Sequence, residues 1–589
     1  MIRNKQLLLL LLWTAIAFIL RFANLDLKPL WTDEFSTLVF SLGNSFRGVP
    51  IDRAIALSTL LEPLQWSPSA STADVLHNLL LESNHPPVYF LLAHWWMQLF
   101  RPSEDSLVWI ARSLPALFGV ISVPSIYFLG RFAFGSRLVG QCAAAMMAVS
   151  PYGIYLAQEA RHYTLGILLV IASLFCLSLT VKKSQDRAIL PIWVLLIWVV
   201  FNCLGIAAHY FFVLTLCAEA MVLVALLVWR KYFKLPIILF FRILAVALGS
   251  LAGGLVWVPI FFSNKYGSEL TNWIVSGDRS WLDWISPIFQ ALAGWITVMS
   301  LLPVESANLP VVIVSAISMT IYFILVLPLL LGGIKASFKT QEHRLDTVIF
   351  GGFMLAAIVL FFSFTYILGI DLTRGARYNF VYFPGAILVL GSALAVIYNT
   401  PTIKSKWFNL PAIEISGKKA VVLILVMGFV SGMTVNYNLG YRKYYKPDLL
   451  LPIISEVSQV PVLIATTQKT HVEIGELMGI AWEIRKKEEG RRKKEEGREN
   501  QEEVKSRESP LFLLANLKRE TPEIASGTLD KTISLLDKPL DLWLVNFRAP
   551  VDLKAQSCEV ESREWPAVDG YEYQVYHCSK KKEVRQRIL

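Results

Sequence analysis

Long apolar stretches separated by short polar segments recur over most of the chain. The first, Leu7–Leu20, has no small-residue cleavage site before Arg21, so it predicts a retained transmembrane helix with its basic end inside. Residues 281–302 predict either another span or an amphipathic helix on the outer face. Further stretches approach the roughly 20 residues that a helix needs to cross the hydrocarbon layer. They lie at 86–101, 106–130, 138–158, 163–181, 188–206, 208–229, 236–262, 309–334, 347–369, 379–398 and 420–436. The pattern predicts a polytopic α-helical membrane protein with about 12 or 13 transmembrane helices.

Two parts of the chain lack this pattern. The first outer loop, about residues 22–84, contains two helix-like patches, 52–61 and 73–81, with the apolar spacing of helices that lie on a membrane surface. Beyond residue 436, short apolar runs and one helix-like segment predict a small α/β domain. The runs are 461–465, 510–514 and 542–546, and the helix-like segment is 472–484. We therefore expect a membrane module over residues 1–436 and a soluble C-terminal domain over residues 437–589.

A charged repeat interrupts this C-terminal domain. Lys486-Lys-Glu-Glu-Gly490 recurs as Lys493-Lys-Glu-Glu-Gly497 within a charged run over residues 485–508. Such a run cannot bury a core, so it predicts a solvated insertion.

Composition excludes several classes of protein. The chain is 55% hydrophobic and only 17% charged, whereas a soluble domain carries about 25% charged residues. This excludes a soluble enzyme, a disordered scaffold and a small disulfide-stapled secreted domain. The net charge of +10 does not indicate a nucleic-acid partner, because much of the basic charge flanks apolar spans. These lysine- and arginine-rich segments are Lys182-Lys183, Arg230-Lys231, 335–344 and 404–419.

Lysine- and arginine-rich segments beside apolar spans mark cytoplasmic loops under the positive-inside rule. They place Glu159, His209, Arg374 and the C-terminal domain on the outer face. Counting spans from the first outer loop places Glu159 inside instead. One segment between Pro86 and Glu159 must therefore be re-entrant or split, or the predicted boundaries are wrong.

Two of the six cysteines lie outside the apolar spans. Cys558 and Cys578 flank a stretch, 571–576, that alternates like a β-strand. On the outer face an oxidising compartment permits a disulfide, so we expect these two to be bonded.

Polar residues at the ends of the spans are candidates for chemistry. Asp33 and Glu34 follow the first span, where adjacent carboxylates need partners or a task, or else form a solvated pair with Asp33 capping a helix. His85 precedes two prolines at a helix entrance. Arg112 lies within an apolar span, where charges are functional candidates by default. Glu159 and Arg161 end a span, either as functional groups or as a structural ion pair.

In this order, these residues resemble the GT-C superfamily of polyprenyl-phosphate-sugar-dependent glycosyltransferases. The resemblance rests on Asp33-Glu34, His85-Pro86-Pro87, Arg112 to Gly119, Gly130-Arg131 to Gly135, and Gln158-Glu-Ala-Arg161. It is clear over residues 1–180, is weaker to about 400 and is absent beyond 440. The chain looks most like the aminoarabinose transferase-like and protein O-mannosyltransferase-like enzymes of glycosyltransferase family 39. His85 stands where the aminoarabinose enzymes have lysine, which argues against aminoarabinose as the sugar.

The resemblance implies roles for individual residues. Asp33 is the expected catalytic base, and Glu34 is the neighbour that could replace it. Chemistry adds a further role: the leaving polyprenyl phosphate is an anion, so Arg374 and Arg377 in an outer-face loop are candidates for stabilising it, with the alternatives that they anchor the loop to lipid headgroups or pair with Asp371. The full set expected to bind substrate is His85, Arg112, Glu159, Arg161, His209, Arg374, Arg377 and Tyr378. No metal ligands are assigned, and a divalent metal cofactor is left open.

These roles describe a membrane hexosyl- or pentosyltransferase. It would move a sugar from a polyprenyl-phosphate donor to a hydroxyl of a lipid, glycan or protein, on the extracytoplasmic side of the plasma membrane. A carboxylate would deprotonate the acceptor, and direct displacement predicts inversion at the anomeric carbon. The main alternative is a lipid-linked oligosaccharide flippase or polymerase, which would not need a large first loop with paired acids. A non-catalytic membrane scaffold would tolerate the loss of those acids.

Overall fold

The computed structural model describes residues 2–229, 236–263, 270, 272–275, 280–405, 413–496, 509–517 and 521–579. The chain divides into two compact units. The first, called the membrane unit, comprises residues 1–28 and 83–442. The second, called the α/β unit, comprises residues 29–82 and 443–589. The basic pair Arg230-Lys231 and part of the 404–419 cluster lie outside the described residues.

The described α-helices are, in chain order, α1 (Ile2–Phe22), α2 (Thr32–Ser41), α3 (Leu57–Leu61), α4 (Thr72–Glu82), α5 (Val88–Phe100), α6 (Leu107–Phe134), α7 (Arg137–Val149), α8 (Pro151–Ala157), α9 (Tyr163–Gln185), α10 (Ile192–Ala208), α11 (Phe212–Val228), α12 (Ile237–Leu255), α13 (Trp257–Ser263), α14 (Trp281–Met299), α15 (Leu309–Lys339), α16 (Gln341–Tyr366), α17 (Phe383–Asn399), α18 (Gly417–Asn436), α19 (Pro447–Val457), α20 (His471–Glu496) and α21 (Glu523–Leu535). The strands are β1 (Ala54–Ile55), β2 (Ile403–Ser405), β3 (Ile413–Ile415), β4 (Val462–Gln468), β5 (Leu511–Asn516), β6 (Leu540–Val545), β7 (Cys558–Val560) and β8 (Tyr573–Cys578).

Most of these helices belong to the membrane unit and are apolar. Within the described residues, seven are long and apolar enough to cross a membrane: Asn4–Phe22, Leu107–Phe134, Tyr163–Gln185, Ile237–Ile260, Leu309–Lys339, Gln341–Tyr366 and Gly417–Asn436. Four shorter apolar helices accompany them: Arg137–Val149, Ile192–Ala208, Phe212–Val228 and Phe383–Asn399. The chain is thus a polytopic α-helical membrane protein, as predicted, while the total of 12 or 13 spans stays a prediction.

The single span predicted at 138–158 is wrong, because the structure divides it into α7 and α8. The division falls at Ser150-Pro151, where Ser150 leaves the helical conformation and its hydroxyl accepts a hydrogen bond from the amide of Gly153. Proline fits the first turn of a helix but interrupts a helix interior, so the second helix starts anew at Pro151. In addition, α5 has only 13 residues. A split, one of the alternatives left open between Pro86 and Glu159, is therefore present in this segment.

Two buried arginines fix the helices around this break. The Arg21 guanidinium donates to the carbonyls of Met147 and Ala148 at 2.7 and 2.9 Å. These carbonyls lie in the last turn of α7, where no intrahelical donor reaches them and a cation is favourable. The Arg112 guanidinium donates to the carbonyls of Leu25 and Lys28 at 2.6 and 3.0 Å, and so holds the segment that follows α1. Both side chains are fully buried.

The α/β unit is built around a six-stranded sheet with the order β1-β5-β4-β6-β8-β7. Its central strands β5, β4 and β6 are parallel, and the outer pairings are antiparallel. The apolar runs predicted at 461–465, 510–514 and 542–546 match β4, β5 and β6, and the small α/β fold predicted for the C-terminal region is confirmed. Residues 29–82 also belong to this unit, and their strand β1 pairs with β5. The sequence did not predict this.

Three details of the α/β unit differ from or extend the sequence predictions. Of the helix predicted at 52–61, only α3 is helical, because residues 54–55 form β1. Helix α20 continues to Glu496, so the first part of the charged run is helical, stabilised by the ion pair of Arg485 with Glu489 at 3.5 Å. Residues 497–508 of that run lie outside the described residues. Cys558 and Cys578 form the predicted disulfide, which joins β7 to β8.

Candidate functional site

Five of the predicted binding residues meet in the membrane unit, although four separate stretches of sequence supply them. His85 precedes α5, Arg161 lies between α8 and α9, and His209 lies between α10 and α11. Arg377 and Tyr378 come from the connection between α16 and α17. All of these positions are helix ends or loops beside apolar helices. We call these five residues, together with His162, the basic cluster.

His85 uses both of its ring nitrogens inside the protein. A guanidinium nitrogen of Arg161 lies 2.9 Å from Nε2 of His85, and the hydroxyl of Ser83 lies 2.8 Å from its Nδ1. An arginine can only donate, so Nε2 must accept and the ring proton must sit on Nδ1. His85 is therefore a neutral imidazole that orients Arg161. Its predicted contact with substrate stays a prediction.

His209 has one nitrogen committed and one that carries its proton. Helix α10 ends at Ala208, and His209 adopts an extended conformation that turns its ring back toward the next residues. Its Nδ1 accepts a hydrogen bond from the backbone amide of Phe211 at 3.0 Å. The neutral ring consequently carries its proton on Nε2, which is a hydrogen-bond donor.

Arg377 lies among aromatic rings. Its guanidinium carbon is 5.1 Å from the centre of the Trp273 ring and 5.4 Å from that of Tyr378. The Tyr378 ring in turn lies edge-on to His209, with 6.1 Å between ring centres. Contact with the aromatic rings favours the charged, planar guanidinium.

His162 is the residue of this cluster that sequence reasoning missed. It follows Arg161 at the start of α9, is 1% exposed, and its ring centre lies 4.5 Å from that of His209 and 5.7 Å from that of His85. One histidine beside an arginine at a span end has no periodicity or spacing that distinguishes it. Only the fold, which brings three loops together, shows it to be central.

Arg112, Glu159 and Arg374 are the other predicted binding residues of the membrane unit. Arg374 is exposed, and its Nε forms an ion pair with Asp371 at 3.4 Å while its terminal nitrogen donates to the carbonyl of Trp273 at 2.7 Å. This is the Asp371 pairing left open in the sequence analysis. Arg112 binds backbone carbonyls as described above. Glu159 is 1% exposed, and its carbonyl accepts from the Arg161 amide at 2.7 Å.

Asp33 and Glu34 belong to the α/β unit, in the first turn of α2. The N-cap residue is Trp31, so Asp33 is not the cap, and both carboxylates lie where the helix dipole favours negative charge. Glu34 is fully buried, whereas Asp33 is half-buried. Of the two, only Asp33 therefore offers a carboxylate that solvent reaches.

Helix α20 packs against this first turn. Gly475 of α20 lies against α2, since a Cβ placed on it would be in ordinary van der Waals contact with Thr32, 3.4 Å from its Cα. His471 begins α20 and stacks on Phe46 with 5.0 Å between ring centres. Burial lowers the pKa of His471 to about 4, although the nearby charge of Asp33 acts in the opposite direction. His471 is thus neutral at physiological pH.

No group of three or more histidine, cysteine or acidic side chains is placed to hold a metal ion among the residues that the structure describes. The arginines of the basic cluster repel cations and attract anions. This chemistry suits a phosphate.

Residues 84–257 match the family model of dolichyl-phosphate-mannose-protein mannosyltransferases. This match confirms the predicted resemblance to GT-C glycosyltransferases. It covers less than a third of the chain and includes His85, Arg161, His162 and His209. It lacks Asp33 and Arg377. No curated protein matches the chain.

Two solved structures are similar along much of the chain. One is ArnT from Cupriavidus metallidurans bound to undecaprenyl phosphate, at 13% identity and a TM-score of 0.47, covering 96% of this chain and 97% of that one. The other is the oligosaccharyltransferase AglB from Archaeoglobus fulgidus in complex with an inhibitory peptide and a dolichol-phosphate. Its identity is 12% and its TM-score 0.45, covering 82% of this chain and 64% of that one.

Proposed function

We propose that this chain is a membrane glycosyltransferase that takes a sugar from a polyprenyl-phosphate donor and transfers it to a hydroxyl acceptor. Its active site would face the extracytoplasmic side of the plasma membrane, as the distribution of basic residues indicates. The observation that carries the proposal is the basic cluster, most of which falls within the segment that matches a family of polyprenyl-phosphate-dependent transferases.

The basic cluster has the chemistry that the donor phosphate requires. Two guanidiniums and the Nε2–H of His209 supply donors, and Arg161 and Arg377 supply positive charge. A polyprenyl-phosphate donor keeps its tail in lipid and its phosphate at the interface, where the ends of apolar helices lie. When the sugar leaves, negative charge grows on that phosphate, and preorganised cations stabilise it in the transition state.

Asp33 is proposed as the general base. The acceptor hydroxyl must lose its proton as it attacks the anomeric carbon, and a carboxylate within hydrogen-bond reach accepts that proton. The partial exposure of Asp33 supports this role, since a group that solvent reaches is also open to an acceptor. A single base with direct displacement predicts inversion at the anomeric carbon.

Comparative mass spectrometry of envelope lipids, glycans and proteins tests the proposal. Cells with the intact gene should carry a glycosylated species that disappears on deletion and returns with the wild-type gene. The same species should form when the purified full chain in lipid nanodiscs receives a polyprenyl-phosphate sugar, and polyprenyl phosphate should be released. Transport of an intact lipid-linked sugar across vesicles without its cleavage would instead establish a flippase.

A further inference from the structure

His162 is a buried histidine whose polar atoms are unsatisfied. Its side chain is 1% exposed, and neither Nδ1 nor Nε2 has a hydrogen-bond partner in the described part of the chain. A neutral imidazole has one donor and one acceptor, and leaving a buried polar group unpaired is destabilising because its hydrogen bonds to water are lost. Native proteins rarely accept this cost without a reason, such as a ligand that supplies the missing partner.

The contrast with the neighbouring histidines makes His162 distinctive. His85 has both nitrogens engaged, by Arg161 and Ser83, and His209 has its Nδ1 engaged by the Phe211 amide. These bonds fix their ring orientations and tautomers. In the described part of the chain His162, packed between them, has neither ring nitrogen engaged, whereas each of its two neighbours has at least one.

The surroundings of His162 select the charge of the missing partner. The strongest charge effects on its ring come from His209, Arg161, His85 and Arg377, and each of these four residues is basic. A cation would be repelled by the two guanidiniums, and an apolar ligand would leave the imidazole N–H unsatisfied. An oxyanion satisfies that N–H and is attracted by both arginines.

We propose that His162 is a further substrate-contacting residue, whose imidazole N–H donates to an anionic phosphate oxygen of the polyprenyl-phosphate donor. The proposal rests on the proposed function and extends it by naming a contact within the site. His85 positions Arg161, and His162 and Arg161 hold the phosphate from adjacent positions in the chain. The contact persists in the polyprenyl-phosphate product, which carries the same group.

Binding of two probes by the full chain in lipid nanodiscs tests this contact. The probes are polyprenyl phosphate and the corresponding polyprenol, which lacks the phosphate. We expect His162→Phe to weaken binding of polyprenyl phosphate about tenfold to a hundredfold, the effect of losing a hydrogen bond to a charged group. Polyprenol binding should stay unchanged. His162→Gln, which keeps an N–H donor, should retain affinity for the phosphate within about threefold.

The control substitution is His343→Phe. His343 is also a histidine of the membrane unit, packed edge-on to Phe134 at 5.7 Å on α16. The His343→Phe substitution should leave both affinities unchanged.

Equal binding of polyprenyl phosphate by wild type and His162→Phe would overturn this inference but not the proposed function. So would an equal loss for both probes, which indicates a purely steric role. If His162→Phe fails to fold, weak phosphate binding by a folded His162→Gln overturns it. Wild type that binds no polyprenyl phosphate would overturn the proposed function itself.

Discussion

Arg161 donates to Nε2 of His85 at 2.9 Å, across 76 positions of sequence. The bond defines what the residue before Pro86-Pro87 must do, which is to accept a hydrogen bond from a guanidinium. A lysine in this place has no acceptor and would add a second positive charge beside Arg161. Histidine and lysine at this position therefore imply different arrangements of the cations around the donor phosphate.

Substitution of His85 tests this relationship. We expect His85→Lys to lower the turnover number about tenfold to a hundredfold, because Arg161 loses the acceptor that orients it. His85→Gln should keep at least a third of wild-type turnover, because its amide oxygen accepts the same bond. Initial rates at saturating donor decide between them. Equal rates for the two variants would show that Arg161 needs no acceptor here.

Asp33→Asn should abolish transfer while abundance and membrane insertion remain normal. Asparagine keeps the size of the side chain but cannot accept the proton of the acceptor hydroxyl. Glu62→Gln is the matched control, since Glu62 is an exposed carboxylate of the same unit. The measurement is product formation by purified variants in nanodiscs. Near-full activity of Asp33→Asn would remove Asp33 from the mechanism, and an inactive Glu34→Gln would then move the role to the next residue.

Arg377→Lys should slow transfer about tenfold to a hundredfold. Lysine keeps the charge but loses the planar fork that contacts Trp273 and Tyr378 and would bind the proposed donor phosphate at two points. Arg374→Lys is the natural comparison, because its partner Asp371 needs only a cation, and its rate should stay close to wild type. The two rates with a polyprenyl-phosphate sugar test this assignment. Wild-type turnover by Arg377→Lys would instead indicate that Arg377 only anchors its loop to lipid headgroups.

His577 makes the α/β unit sensitive to pH. Its Nδ1 lies 2.7 Å from a carboxylate oxygen of Asp541, and its Nε2 lies 3.1 Å from one of Glu561. Both nitrogens must donate, so the ring is an imidazolium, and its hydrogen bonds to these two carboxylates raise its pKa. The stabilisation is complete below the ordinary histidine pKa of about 6.5 and is lost as pH rises through the raised value.

Hydrogen-exchange protection factors measure this effect. In peptides from β6 and β8, protection should fall as pH rises above neutrality in wild type, after correction for intrinsic exchange. His577→Gln should show a flat profile over the same range. A flat wild-type profile would mean that the imidazolium contributes nothing to the sheet.

The Cys558–Cys578 disulfide should resist labelling and stabilise the α/β unit. Free-thiol labelling without reductant should modify neither cysteine in intact membranes. Replacing both by serine should lower the free energy of unfolding of this unit by about 3 kcal/mol in the chain-entropy model for a loop of this size. Denaturant unfolding of wild type and the double variant measures the difference. Modification of both cysteines in wild type would contradict the bond and the outward placement of this unit.

The sequence predicted the individual helices and strands better than the contacts between them. Continuous apolar stretches such as 163–181 and the short apolar run 461–465 are visible in local composition, so hydropathy reveals them. A split before Glu159 was one of the alternatives left open. Its position at Ser150-Pro151 was not predicted, because average hydropathy hardly changes at a single proline. Pairing of β1 with β5 is non-local and involves two residues of β1, too few to leave a pattern.

The candidate site divides in the same way. The ordered motifs of the family resemblance indicated His85 and Arg161, and the weaker resemblance beyond residue 180 added His209 and Arg377. It gave no indication that the His85 ring is committed on both sides or that the His162 ring is not. Those properties arise where three loops converge, and they depend on distances of a few ångströms that no spacing along the chain encodes.

The sheet of the α/β unit also has a consequence for how the protein is made. The backbone amide of Asn516 donates to the carboxylate of Asp52, 464 residues earlier. At a synthesis rate of about 5–20 residues per second, the ribosome needs roughly 25–90 s to supply that partner. Throughout that interval the segment with Asp33 has been translated without the strand and helix that pack on it. In a nascent chain the packing around Asp33, the proposed general base, is therefore completed late, after most of the membrane helices have been inserted.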